Sequence, residues 1–155
     1  AGARREIVVM DTAPTGHTLL LLDATGAYHK EVMRSSHDGG INMVTPLMRL
    51  RDADYTKVLI VTLPETTPVN EAAQLQDDLK RAGIEPFAWV INASLTAASP
   101  TDPLLARRAE AEIPLIRKVR DGLAKRIAVV PLLAEEPTGS DALKWILRRQ
   151  AAVAV

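Results

Sequence analysis

Four short apolar runs constrain this chain more than any other feature. Ile7 to Met10 (IVVM) runs into Asp11, and Lys57 to Leu63 (KVLIVTL) into Pro64-Glu65. Phe87 to Ile91 (FAWVI) runs into Asn92, and Arg126 to Pro131 (RIAVVP) into Leu132-Leu133. Each is continuously apolar instead of alternating, the pattern of a parallel strand covered on both faces. Helical stretches lie between them. Val69 to Ala82 puts Leu75, Leu79 and Ala82 on one face, with Gly83 as its cap. Pro103 to Ala124 turns Leu105, Ile113, Ile116, Val119 and Leu123 to one side, and Pro114 is expected to kink or split it. Ser140 to Val155 reads as a closing helix with Leu143, Ile146 and Leu147 inward. Strands alternating with helices give an α/β fold with a mainly parallel sheet. Ligands of such sheets gather at the carboxyl ends of the strands.

The 155 residues suffice for one domain with a real core. Lys+Arg and Asp+Glu both number 19, so there is no electrostatic case for nucleic acid or an anionic membrane. With no cysteine, a disulfide scaffold and a thiolate metal site within this chain are excluded, and a reducing, cytoplasmic setting is expected. No apolar run approaches the ~20 residues needed to span a bilayer. The basic residues Arg107, Arg108, Arg117, Lys118 and Arg120 alternate with Glu110, Glu112 and Asp121, which reads as a solvated helix face. His29 and His37 read as surface histidines. Met43, Leu47, Met48 and Leu50 form a short helix or turn.

The stretch IVVMDTAPTGHT, Ile7 to Thr18, places an acid, a glycine and a histidine just past a strand. Locally, Asp11 fits a helix N-cap as well as a Mg²⁺ carboxylate beside a nucleotide phosphate. Gly16 lets a backbone N–H approach an anion with no side chain in the way. Taken whole, DTAPTGHT followed by LLLLDATGAYHKEV resembles the signature of the arsenical pump-driving ATPase family, MinD/ParA-like P-loop ATPases that also include the ATPases targeting tail-anchored membrane proteins.

That resemblance implies a three-layer P-loop NTPase fold with helices on both faces of the sheet. Asp11 would help to place Mg²⁺ and Gly16 would contact the γ-phosphate within a second switch. Glu65, Asn92, Pro131, Leu132 and Leu133 would surround the nucleoside of ATP. Taken alone, Asn92 reads as a turn residue and Glu65 as an acid at a helix start. The family often carries a second amide after the asparagine, where this chain has Ala93. His17 corresponds to a histidine that joins cysteines at an As(III)/Sb(III) site in metalloid-binding members. Without those soft thiolates, no metalloid binding is expected of this stretch alone.

No G-x-x-x-x-G-K-[ST] occurs, and Gly39-Gly40 is followed by Ile41-Asn42. Residues 1–155 are therefore expected to be the C-terminal portion of one P-loop ATPase domain, from Walker B and switch II onwards. The leucine run and PETTPVNEA resemble the second half of the duplicated pump ATPase. The implied function is energy coupling for arsenite/antimonite efflux, with the chain inactive by itself. The expected partners are the P-loop-bearing portion and a membrane pump subunit at the inner membrane. The alternatives are a tail-anchored-protein-targeting ATPase, disfavoured by the short Met43–Leu50 segment, and a non-catalytic scaffold of the same fold. In the family the P-loop strand lies between the Ile7–Met10 and Lys57–Leu63 strands. Without it, either these two pair directly, or another chain, such as a second copy, completes the sheet edge.

Overall fold

The computed structural model describes residues 7–11 and 46–150. The chain divides into two compact units, Ala1–Leu47 and Met48–Val155. In the first unit, the described residues 7–11 form no strand, and Ile7 to Met10 are 79 to 90% exposed. This corrects the expected first strand. An isolated apolar run has no hydrogen-bonded neighbour to fix it, and a strand exists only as a member of a ladder. The sheet of the described residues has three strands, and Ile7 to Met10 is not one of them.

The elements are α1 (Pro46–Arg51), β1 (Leu59–Thr62), α2 (Thr66–Arg81), β2 (Ala88–Ser94), α3 (Leu95–Ala98), α4 (Pro103–Lys118), β3 (Ile127–Pro131) and α5 (Gly139–Gln150). A π-helical turn, Val119–Leu123, closes α4 through the Ala124 N–H bond to the Val119 carbonyl. The sheet order is β1-β2-β3 with both pairs parallel, as the apolar runs predict.

Register sorts the side chains onto two faces. Ile60 pairs with Trp89 and Trp89 with Ile127; Thr62 pairs with Ile91 and Ile91 with Val129. On this face Ile60, Thr62, Trp89 and Ile91 are buried. The opposite face carries Leu59 and Val61, 53% and 61% exposed. β1 is thus covered on one face only, although its composition is that of a strand covered on two.

α2 ends as its glycine predicts. Gly83 has φ +77°, its N–H bonds the Lys80 carbonyl, and the Ile84 N–H reaches back to the Leu79 carbonyl. These paired bonds are the Schellman arrangement, which needs a residue without a Cβ penalty in the left-handed region. The buried stripe of α2 is Val69, Ala72, Gln76 and Leu79, so a glutamine takes the place expected for Leu75, which is half-buried.

α4 starts where Asp102 accepts from the Leu104 and Leu105 N–H groups, with Pro103 in the first turn. It runs unbroken through Pro114, so the expected split does not occur. Pro114 and Glu110, whose carbonyl lies opposite the missing N–H, are both exposed. Its buried residues are Ala109, Glu112 and Ile116, continued by Val119, while Leu105 is exposed. Arg107, Arg108, Glu110, Arg117, Lys118 and Asp121 are exposed as expected. Glu112 is the correction: it is buried. In α5, Leu143 is exposed, contrary to expectation, while Ile146 is half-buried. Among the described residues no helix is long and apolar enough to cross a membrane.

Candidate functional site

Because all three strands are parallel, their carboxyl ends lie along one edge of the sheet. Pro64-Glu65 follows β1, Asn92 lies near the end of β2, and Leu132-Leu133 follows β3. Glu65 occupies the N-cap position of α2 with an extended backbone, but its side chain caps nothing and is exposed. Its carbonyl accepts the Val69 N–H at 3.0 Å, so the backbone starts the helix while the carboxylate faces outward.

Asn92 is exposed, next to a defect in the ladder. The β2–β3 register shifts between Ile91 and Ser94, and Ser94 pairs with Pro131. Ala93, inside the defect, has φ +54°. That region is unfavourable for alanine and far more open to asparagine. A bulge of this kind re-aims side chains at a strand end.

The next bond joins the end of β2 to the segment after β3. The Leu132 N–H donates to the Ser94 carbonyl at 2.9 Å. The Pro131–Leu132 segment is therefore held two residues from Asn92 along the chain, with Leu132 exposed and Leu133 half-buried. Glu65 shares the edge, at the end of β1. Asp11 is exposed. Gly16 and His17 lie outside the described residues.

Two further residues, absent from the expected site, hold this edge. The Glu112 carboxylate accepts from Ser94 Oγ at 2.8 Å, from the Leu95 N–H at 3.0 Å and from the Thr96 N–H at 3.0 Å. Ser94 Oγ also accepts from the Ala97 N–H at 3.2 Å, and Thr96 Oγ1 donates to the Ala109 carbonyl at 2.6 Å. These bonds start and hold the short helix α3. A buried carboxylate is tolerated only with such donors around it. The sequence held one signal: Glu112 falls three after Ala109, four before Ile116 and seven before Val119, on the buried stripe.

Away from the edge, Arg120 and Asp121 form an exposed pair at 2.7 Å. The hydrogen bond from Arg120 holds the Asp121 carboxyl below its ordinary value, and Asp121 in turn raises Arg120. Among the described residues there is no cluster of three or more His, Cys, Asp or Glu side chains suited to a metal ion.

Residues 41–149 match the family model described as Anion-transporting ATPase, well over half the chain. The chain belongs to the anion-transporting ATPase family. It is 59% identical over 144 residues to an Arsenical pump-driving ATPase of Escherichia coli, which covers 93% of this chain and 24% of that protein. It is 57% identical over 145 residues to the Arsenical pump-driving ATPase of Acidiphilium multivorum, covering 94% of this chain and 25% of that one. With ATPase GET3C of Arabidopsis thaliana it shares 24% over 173 residues, covering 90% of this chain and 44% of the relative. The chain thus spans about a quarter of the length of the arsenical relatives it matches. For an anion-transporting ATPase, the parallel sheet with its polar strand ends is the architecture expected from the apolar runs.

Proposed function

We propose that this chain is the nucleoside-binding and second-switch portion of an ATPase that energises arsenite or antimonite efflux. The hydrogen bond from Leu132 N–H to Ser94 carries the reading, because it gathers an exposed amide and an apolar loop at the carboxyl edge of the sheet. Asn92 offers a donor and an acceptor to the edge of adenine. Pro131, Leu132 and Leu133 supply backbone polar groups and apolar surface against the base, and Glu65 borders the same edge. High identity with arsenical pump-driving ATPases, against 24% with ATPase GET3C, favours metalloid efflux.

Asp11 offers hard carboxylate oxygens on an exposed side chain, the donor type that Mg²⁺ takes. Mg²⁺, when bound, neutralises charge on the β- and γ-phosphates. Gly16 is assigned the backbone contact to the γ-phosphate and His17 a contact to the metalloid, which is cargo. Residues 1–155 act within the C-terminal nucleotide-binding half, together with the portion bearing the phosphate-binding lysine. The longer protein works at the cytoplasmic side of the inner membrane with a pump subunit and needs no nucleic acid. The test is steady-state ATP hydrolysis by the full-length protein that carries this chain, with and without antimonite. Stimulation by antimonite is expected, with KM for ATP rising about tenfold in Asn92→Ala, the size of one well-aligned hydrogen bond. Hydrolysis indifferent to antimonite would remove the efflux assignment.

A further inference from the structure

We propose that Glu112 is the positioning residue of the nucleoside site: through Ser94 it sets the placement of Asn92 and of the Pro131–Leu132 loop. This rests on the nucleoside site proposed above and extends it to α4, which carries none of the residues assigned to ATP.

Three donors from consecutive residues, Ser94 Oγ, Leu95 N–H and Thr96 N–H, converge on the Glu112 carboxylate. They pin the chain immediately after Ala93, whose backbone lies in the left-handed region. A non-glycine residue stays in that region when its surroundings over-determine it. Asn92 is on the other side of Ala93, so rotation about Ala93 would swing its side chain off the edge. The same Ser94 that donates to Glu112 accepts the Leu132 N–H through its carbonyl. One buried carboxylate therefore fixes a residue that holds both sides of the proposed base site.

The chemistry also explains a carboxylate here. Three donors need acceptors only, and an ionised carboxylate offers acceptors on both oxygens. Glutamine has the same shape; with its oxygen accepting from Ser94 Oγ and the Thr96 N–H, it turns an NH₂ toward the Leu95 N–H. Glu112→Gln thus weakens the positioning while leaving the volume of the site almost unchanged.

The experiment measures hydrolysis of ATP and of GTP by the full-length protein. In Glu112→Gln, KM for ATP should rise about tenfold with kcat within about twofold, and the preference for ATP over GTP should shrink by a similar factor. A merely structural role would lower the active fraction, and so kcat, with KM and base preference unmoved; that result overturns the proposal. Should Glu112→Gln fail to fold, Ser94→Ala keeps the backbone bonds and the Ser94 carbonyl. It should raise KM for ATP about threefold, and an unchanged KM overturns the proposal. Asn92→Ala separates the two levels. If it raises KM and Glu112→Gln does not, the nucleoside site stands and the positioning role falls. If Asn92→Ala leaves KM and base preference unchanged, the nucleoside site itself falls, and the role of Glu112 with it.

Discussion

Gln76 and Glu112 occupy equivalent places on two helices, yet they serve opposite ends of β2. Each is a polar residue in the middle of a buried stripe, Gln76 on α2 and Glu112 on α4. Gln76 accepts from Trp89 Nε1 at 2.6 Å and donates to the Leu123 carbonyl at 3.2 Å. It ties α2 to the start of β2 and to the end of the π-helical turn, away from the strand ends where ligands gather. Glu112 ties α4 to the finish of β2, where the Leu132 N–H bonds the Ser94 carbonyl. One partner set mixes a donor with an acceptor and takes an amide. The other contains donors only and takes a carboxylate. Residue choice at a buried polar position follows the chemistry of its partners, and the place of those partners decides whether the position serves architecture or a site.

Glu112→Ala should have the largest effect on this contrast. It strips the acceptor from Ser94 Oγ and from two backbone N–H groups, at a cost of about 4 kcal/mol in denaturant unfolding, with loss of ATP affinity. Gln76→Ala should cost about 2 kcal/mol, chiefly through the stranded Trp89 Nε1–H, with KM for ATP unchanged. A large KM effect from Gln76→Ala would erase the distinction between the two ends of β2. Ala93→Asn should raise stability by about 1 kcal/mol, since asparagine accepts the left-handed backbone at lower cost; no gain in the unfolding midpoint would mean that Ala93 carries no strain.

The smallest effect concerns a polar pair that holds nothing together. Asp121, exposed beside Arg120, should titrate below its ordinary 3.8 when followed by NMR. Its folded value lies under the unfolded one. Whatever it contributes is therefore present at neutral pH and lost as the pH falls through the folded value. Arg120→Gln should return the titration toward 3.8, and a midpoint unaffected by that change would break the assignment to Arg120.

Much of the fold was legible because its signals are local. β1 and β3 fall within the apolar runs, β2 begins in its run and continues past it to Ser94, Gly83 stops α2, and α4 starts at Pro103. Helix faces were less legible. Leucine counting selected Leu75 and Leu105, whereas the buried stripes run through Gln76 and Glu112. Ile7 to Met10 failed for a different reason. Their apolarity is real, but a strand is a property of a pair, and no described residue supplies the other member. Of the expected site, Glu65, Asn92 and Leu132 lie at the carboxyl ends of the three strands, and Leu132 is bonded to Ser94. Ser94 and Glu112 went unseen because a serine in a loop and an acid on a charged helix look solvated.

By itself the sequence determined the strand and helix periods, the caps and the family, since each depends on residues a few positions apart or on direct likeness. The tertiary structure alone decided that Glu112 is buried, that Ala93 adopts a left-handed backbone, and that the end of β2 is bonded to the segment after β3. A donor and an acceptor far apart along the chain are neither satisfied nor unsatisfied until folding brings them within bonding distance.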